Sequence, residues 1–439
     1  MRSSMQRLRS VPPFARLHSQ GKSMSATQMV NQDMENRPQA LIGLAPLMRQ
    51  AFSGVDLRPF GTRLVQRALQ YPHDANTLMD LSTVLQLIGN RELGLATQAQ
   101  ALKIQQHFHL AAATEIPKIR LLAIVSAGDL MANTPLEFLI EGSDVALDLL
   151  FIDTNLPLPE ILPEHDVAFI ALGESDHNRP LLTHIAQKCN AWPRRILNHP
   201  ESIANLSRNG ACALLEAALG ISMPISARIS RATLTQLGGH AIAVTSILPD
   251  GDFPIIVRPV GSHAGHGLEK IDAPEAIDKY LQSENATEFY ISRFVDYRSD
   301  DGLFRKYRII LIEGKPFICH MGISQHWMIH YLNAGMAESA EKRNEEAHFM
   351  AEFDRGFALR HAQAFKAITD TLKLDYVGID CGETKDGALL IFEADSDMIV
   401  HAMDPIEMFP YKQAIMRKIF DAFHGMLENA MKGGIRELV

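Results

Sequence analysis

The sequence predicts a mixed α/β and α+β protein, with a helical N-terminal segment, a parallel-sheet α/β domain and an α+β C-terminal half. Three observations carry this reading. Apolar residues between 76 and 105 recur at three- and four-residue steps, the period of a helix with one buried face. Three apolar runs between 119 and 173 alternate with helix candidates, the signature of βαβ units. Beyond residue 250, β-branched runs are separated by glycine turns, as in antiparallel sheets.

Residues 1–35 read as a disordered tail. The first 32 residues hold Arg2, Arg7, Arg9, Arg16 and Lys22 with no acidic residue, a balance also seen in organelle transit peptides; the other reading is an upstream start, with Met24 as the true beginning. From 36 to 115 the pattern is helical. Leu78, Leu81, Leu85 and Ile88 form one stripe, Gly89-Asn90 breaks it, and Leu93, Ala96, Ala99 and Leu102 resume it, which predicts an antiparallel helix pair. The pair resembles one tetratricopeptide-type repeat, and "LVQRALQYP" (64–72) resembles the end of a preceding one. One and a half repeats are too few for a solenoid. The segment is expected to cap the protein or to offer a docking surface to a protein partner.

Residues 116–223 are expected to form the parallel-sheet α/β domain. "IRLLAIVSA" (119–127), "VALDLLFID" (145–153) and "DVAFIALG" (166–173) read as strands, and "RPLLTHIAQKC" (179–189) as a helix. No G-x-G-x-x-G follows the first strand, so a dinucleotide has little support there. "GISMPISARIS" (220–230) reads as a linker, with a new domain beginning near 224.

The chemistry lies in the remaining half. In "FPIIVRPVGSHAGHGLEKI" (253–271) a buried strand ends in Arg258 and opens into a loop with Gly261, Gly265 and Gly267, whose exposed amides suit an anion. "EFYISRFVDY" (288–297) is a further strand, and "KYRIILIEGKPF" (306–317) a hairpin with a Gly-Lys turn. A long helix with Phe349, Phe353, Phe357, Phe365, Ile368 and Leu372 on its core face precedes "LDYVGIDCGETKDGALLIFEADSD" (374–397), two strands flanking the turn "TKDG". Alternation puts Glu393 and Asp395 on one face, and Asp380 on the partner strand can join them. Three converging carboxylates repel one another unless a cation neutralises them, and hard oxygen donors of this kind favour Mg²⁺ together with phosphates.

Composition excludes several classes. A net charge of -9 argues against general nucleic-acid binding. The four cysteines contain no CxxC pair, which suits a reducing compartment, and no apolar run reaches the roughly 18 residues of a membrane helix. A cytoplasmic protein is expected. No Walker-type motif or Ser/His/Asp arrangement is evident.

The order strand-Arg258, glycine loop, "EFYISRF", "YRIILIEGKP", then "GID" followed by "FEAD" resembles the ATP-grasp superfamily of carboxylate-amine ligases, such as glutathione synthetase and the ribosomal-protein glutamate ligases. The resemblance covers about 195–425. It implies a pre-grasp α/β domain followed by an ATP-grasp fold of two α+β subdomains, 224–298 and 299–439. It also implies ATP and Mg²⁺ as cofactors, with small-molecule or peptide carboxylate and amine substrates in a chain that can be a homo-oligomer. Arg258 stands where the family usually has a lysine on the phosphates. The loop carrying Gly261, Ser262, His263, Gly265 and Gly267 would close over the nucleotide, with His266 as a further donor. Arg293, Phe294 and Val295 would meet the adenine edge, and Asp296 or a nearby acid the ribose. Arg308 takes the role of steadying developing negative charge, and Arg231 that of an earlier phosphate-side base. Asp380, Glu393 and Asp395 match the magnesium ligands, although the third is usually asparagine. Two rival readings stay open: a phosphotransferase on the same fold, and a non-catalytic nucleotide-binding scaffold.

His320, Trp327 and His330 would border the acceptor substrate by the same resemblance. His326 and His330 are four apart, which on a helix would make a metal pair, but no third ligand follows at a convincing spacing.

Overall fold

The computed structural model describes residues 39–262 and 265–433, so the expected tail of residues 1–35 and His263 lie outside the described residues. The described chain opens with four helices: α1 (Leu44–Phe52), α2 (Arg58–Gln70), α3 (Ala75–Leu87) and α4 (Arg91–Ile104). Helix α3 begins where Asp74 accepts the amide of Thr77, a side-chain cap for an otherwise unpaired N–H. The antiparallel pair α3–α4 breaks at Gly89-Asn90 as the sequence predicts. Its second stripe differs. Leu93, Ala96 and Ala99 are exposed, and α4 instead buries Gly94, Thr97, Gln98 and Ala101. A Cβ on Gly94 would lie 2.5 Å from Gln86 Cγ and 3.0 Å from the Ser82 carbonyl, so close helix approach, not apolar bulk, sets this face.

The helical segment ends earlier than residue 115, because β1 (His107–Leu110) is a strand. It pairs antiparallel with β3 (Val145–Ile152), at the edge of a sheet ordered β1-β3-β2-β4-β5, where β2 is Ile119–Ser126, β4 Val167–Ile170 and β5 Ile196–Leu197. The pairings β2–β3, β2–β4 and β4–β5 are parallel, as the alternation predicts. Buried on both faces, β2 and β4 are near-continuous apolar runs. Between them lie α5 (Leu136–Leu139) and, after β4, α6 (Arg179–Cys189); α7 (Pro200–Ile203) and α8 (Arg208–Leu215) follow β5.

The stretch expected to be a linker is structured. β6 (Ile221–Ser222) adds a parallel edge to a distant strand, and β7 (Ser226–Ser230) starts a four-stranded antiparallel sheet ordered β7-β10-β8-β9. In that sheet β8 is Ile255–Pro259, β9 Glu269–Ile271 and β10 Glu288–Arg293, with α9 (Arg231–Gly238) and α10 (Ala276–Ser283) against it. These elements share a core of their own around Leu234, Val257, Ile277 and Phe289.

The last sheet is ordered β12-β11-β13-β14-β6, with β11 Phe304–Ile312, β12 Lys315–Ser324, β13 Tyr376–Glu383 and β14 Leu389–Asp395. Its hairpin turn lies at Glu313-Gly314, both at positive φ, one residue before the expected Gly-Lys pair. The long helix expected after it is three pieces: α11 (Ala340–Glu352), α12 (Phe357–Arg360) and α13 (Ala362–Leu372). Gly356, at φ -105 and ψ -90, leaves helical space and divides the first two. The terminal helix α14 (Lys412–Lys432) sets Phe423 against Phe169 of β4 and Tyr376 of β13, ring centroids 6.0 and 5.6 Å away, so it ties the first and last sheets together. Among the described residues no helix is long and apolar enough to cross a membrane.

Candidate active site

The register of the last sheet assembles one row of polar side chains. Arg308 of β11 stands opposite His320 of β12 on one side and Asp380 of β13 on the other, and Asp380 stands opposite Glu393 of β14. Directly paired residues share a sheet face, so these four run across four strands. Lys306 and Asp395, each two residues along, fall on the same face. The pairing slips beside this row, after Arg308 towards β12 and after Asp380 towards β14. Such bulges re-aim side chains and cluster at functional sites.

Within the row the charges are paired. Arg308 forks onto Asp380, Nε 2.7 Å from Oδ1 and Nη2 2.9 Å from Oδ2, and Lys306 Nζ lies 2.6 Å from Oδ2. Glu393 accepts from Arg208 of α8, and Arg258 Nη1 approaches it to 3.9 Å. Arg258 also bonds Ser262 of the glycine loop through its carbonyl and hydroxyl, so one guanidinium joins the loop to the acids.

Burial works against ionising Asp380, yet the Arg308 and Lys306 charges outweigh it and hold the carboxyl well below the usual range. Burial likewise opposes Glu393, and Arg208 carries it downward. Asp395 moves the other way, raised by burial and by the neighbouring Glu393, and Asp397 is pushed well up by burial and by Asp395. Burial and then the Arg208 charge lower Arg258 to about 10. His320 is held neutral by burial and by Arg308, and its Nδ1 is buried without a hydrogen-bond partner.

The row forms one wall of a cleft of about 890 Å³. Gly261, Ser262 and Gly265 border it, as do Arg293 at the end of β10 with Phe294 and Val295 after it, and His320, Trp327 and His330. Phe294 meets Trp327 edge-on at 5.8 Å, and Arg293 Nε is 2.9 Å from Asp250. Other expected residues lie elsewhere. Arg231 is outside the lining and donates to the carbonyls of Leu281, Glu284 and Ala286 at the end of α10, which fixes a helix terminus. Asp296 turns to Arg298, Nε at 2.9 Å, and does not line the cleft. Gly267 is also outside the lining; its carbonyl accepts from Tyr280, and at φ +63 a Cβ would lie 2.7 Å from Pro259. His266 and His326 are exposed. Residues 326–330 are not helical, so the imagined His326–His330 pair does not form.

Among the described residues no group of three histidines, cysteines or acids is arranged to hold a metal ion. The ion pairs account for this, since both oxygens of Asp380 serve Arg308 and Lys306, and Glu393 serves Arg208. The donor chemistry still fits a hard cation that brings phosphate oxygens with it, because such ions use one or two carboxylates. Burial and then repulsion by Glu393 raise Asp395, and a cation relieves the second.

Sequence reasoning missed Lys306, Arg208, Glu174 and Asp397, which all line the cleft. Lys306 and Asp397 were findable, each two residues from a residue already singled out; Arg208, in "SRNG", carries no local signal.

No family model and no curated protein matches this chain. Among solved structures, D-alanine--D-alanine ligase from Bacillus anthracis complexed with ATP is 13% identical, with 72% of this chain and 99% of that one covered at a TM-score of 0.42. VanG D-Ala:D-Ser ligase from Enterococcus faecalis is 14% identical over 70% and 99%, with a TM-score of 0.44. D-alanyl-alanine synthetase A from Vibrio cholerae is 14% identical over 73% and 100%, with a TM-score of 0.42. Likenesses of this size decide nothing about activity.

Proposed function

We propose that the protein is an ATP-dependent carboxylate-amine ligase of ATP-grasp type, which activates an acid as its acyl phosphate and joins it to an amine. The observation that carries this is the cross-strand row. Four cations, Arg208, Arg258, Lys306 and Arg308, face two paired carboxylates, Asp380 and Glu393, on the wall of a cleft opposite a glycine loop. These cations offer donors to phosphoryl oxygens, and Arg forks suit them geometrically. In this reading Arg258 and the amides of Gly261, Ser262 and Gly265 position the phosphates. Arg293, Phe294 and Val295 hold the base. Arg308 steadies charge at the acyl centre, and Lys306 the oxygens beside it. Mg²⁺ would be held by Glu393 and Asp395, while Asp380 stays paired with Arg308 and Lys306, and would neutralise phosphate oxygens. Little side-chain acid-base chemistry is needed, because the phosphate is the leaving group.

The test is ADP release over a panel of acids and amines. ADP and phosphate formed only when an acid and an amine are both present support the ligase. A phosphorylated acid accumulating without amine dependence makes the protein a phosphotransferase, and nucleotide binding without turnover makes it a scaffold.

A further inference from the structure

We propose that helix α1 of the N-terminal segment is the far wall of the acid-binding end of the cleft, and that this end accepts carboxylates bearing an extended apolar group. The inference rests on the ligase reading for which substrate is meant, but its geometry is independent of turnover.

Arg308 does not end at Asp380. Its Nη1 also donates to the Ile399 carbonyl, 3.4 Å away, in the loop that follows β14. The cleft lining continues from there with Met398, Ile399 and Met403 of that loop, Met131 after β2, and Met48 and Phe52 of α1. Six apolar side chains from three separate parts of the chain therefore begin where the guanidinium stops. Four of them are methionines, whose unbranched, polarisable side chains adapt to different apolar shapes. Charged groups nearby are already committed. Asp404 Oδ2 lies 3.1 Å from Lys412 Nζ, and Arg49 pairs with Glu141. A charged substrate tail entering here would lose water and meet ion pairs that are already made, with the neutral rings of His320 and His401 as the polar groups beside it.

Helix α1 is held in this position by several bonds. Asp80, 2% exposed, accepts the amides of Ile42 and Gly43, and Glu137 accepts that of Ala45. Arg49 donates to the Ala402 carbonyl, 3.2 Å away, so α1 grips the loop that lines the opposite side. Phe52 closes the contact against His401, ring centroids 5.4 Å apart, with Phe138 behind that imidazole. Yet Phe52 stays 39% exposed, as a residue facing an open cleft does and a core residue does not. The helical segment is thus part of the cleft itself, which gives it a purpose that a separate docking module would not explain.

The experiment is calorimetric titration of the full chain, in the presence of ADP and Mg²⁺, with acetate, hexanoate, 4-phenylbutanoate and glutarate. Hexanoate and 4-phenylbutanoate are expected to bind at least about tenfold tighter than acetate or glutarate, since each buried methylene discriminates by about tenfold or more in a fitted apolar pocket. Phe52→Ala and Met48→Ala should each shrink that preference several-fold, and Phe52→Leu should restore most of it. Leu64→Ala, at a buried position on α2 outside the cleft lining, serves as the control for a general loss of helical packing and should leave the preference unchanged. Glutarate binding as tightly as hexanoate, or an apolar preference that survives both alanine variants, overturns the inference. The two readings fail separately: apolar preference without ADP release from any acid-amine pair removes the ligase and leaves the pocket, whereas ADP release confined to short or acidic carboxylates removes the pocket and leaves the ligase.

Discussion

The attachment of α1 should depend on pH through Glu137. Its carboxylate accepts the Ala45 amide at the start of the helix, 2.9 Å away, but burial raises its pKa from an ordinary 4.5 to about 7. The neighbouring acids Asp80 and Glu141 add to the rise, while the amides of Ala45 and Leu44 oppose it. A folded-state pKa above the unfolded one gives a contribution that is complete below about pH 4.5 and lost as pH climbs through about 7. At about 1.4 kcal/mol per pH unit, that interval corresponds to about 3 kcal/mol. Glu137→Gln keeps a carbonyl acceptor for Ala45 and cannot ionise. The variant should therefore match the wild type near pH 5 and exceed it by about 2–3 kcal/mol at pH 8.5. Urea unfolding at both pH values measures the total, and hydrogen exchange at the Ala45 amide measures the local part. A difference between the two proteins that does not change with pH, or a wild type that leads at pH 8.5, refutes the reasoning.

Three further outcomes follow from the site. Arg308→Met removes the fork on a fully buried Asp380, so it should cost about 3–5 kcal/mol of stability by urea unfolding and reduce ADP release by at least about a hundredfold. Gly173→Ala would put a Cβ 2.0 Å from Asp397 Oδ2, so it should displace that acid and lower ADP release at saturating ATP, with nucleotide affinity by calorimetry changed far less. Arg231→Ala should lower the unfolding midpoint by freeing the carbonyls at the end of α10, while ATP affinity stays within about twofold; a tenfold loss of affinity would return Arg231 to the phosphate site.

Much of this architecture was legible because local pattern and tertiary role agree. The strands 119–126 and 145–152 are long apolar runs, and the helix 179–189 is bounded as read. What escaped was short or set by partners far away. His107–Leu110 alternates polar and apolar residues over only four positions, and β6 is two residues that pair, among the described residues, with a strand almost 170 positions later. The close contact at Gly94 shifted the buried face of α4, because close packing there outweighs hydrophobicity. At the site, alternation was enough to place Glu393 with Asp395, and the same rule would have placed Lys306 with Arg308. It could not say that Asp380 faces Arg308 directly, since register between strands seventy residues apart is a tertiary fact. Arg208 comes from another layer of the fold altogether, carried to Glu393 by α8.

If the site takes phosphate as proposed, the row is organised to receive it. Asp380 and Glu393 each hold two cations in the structure, so the arginines and the lysine are positioned before any ligand arrives. An incoming anion then competes with carboxylates for donors already in place, which lowers the ordering cost of binding. The exchange is close to balanced in charge, and it avoids the penalty of unpaired arginines in a half-buried cleft. Arg258 is the exception that gives the exchange a direction. Its contact with Glu393 is the longest of the four at 3.9 Å, and its own pKa is depressed to about 10 by burial and by Arg208. On the proposed reading, Arg258 is the cation with most to gain from a phosphate, and its bonds to Ser262 tie it to the start of the glycine loop.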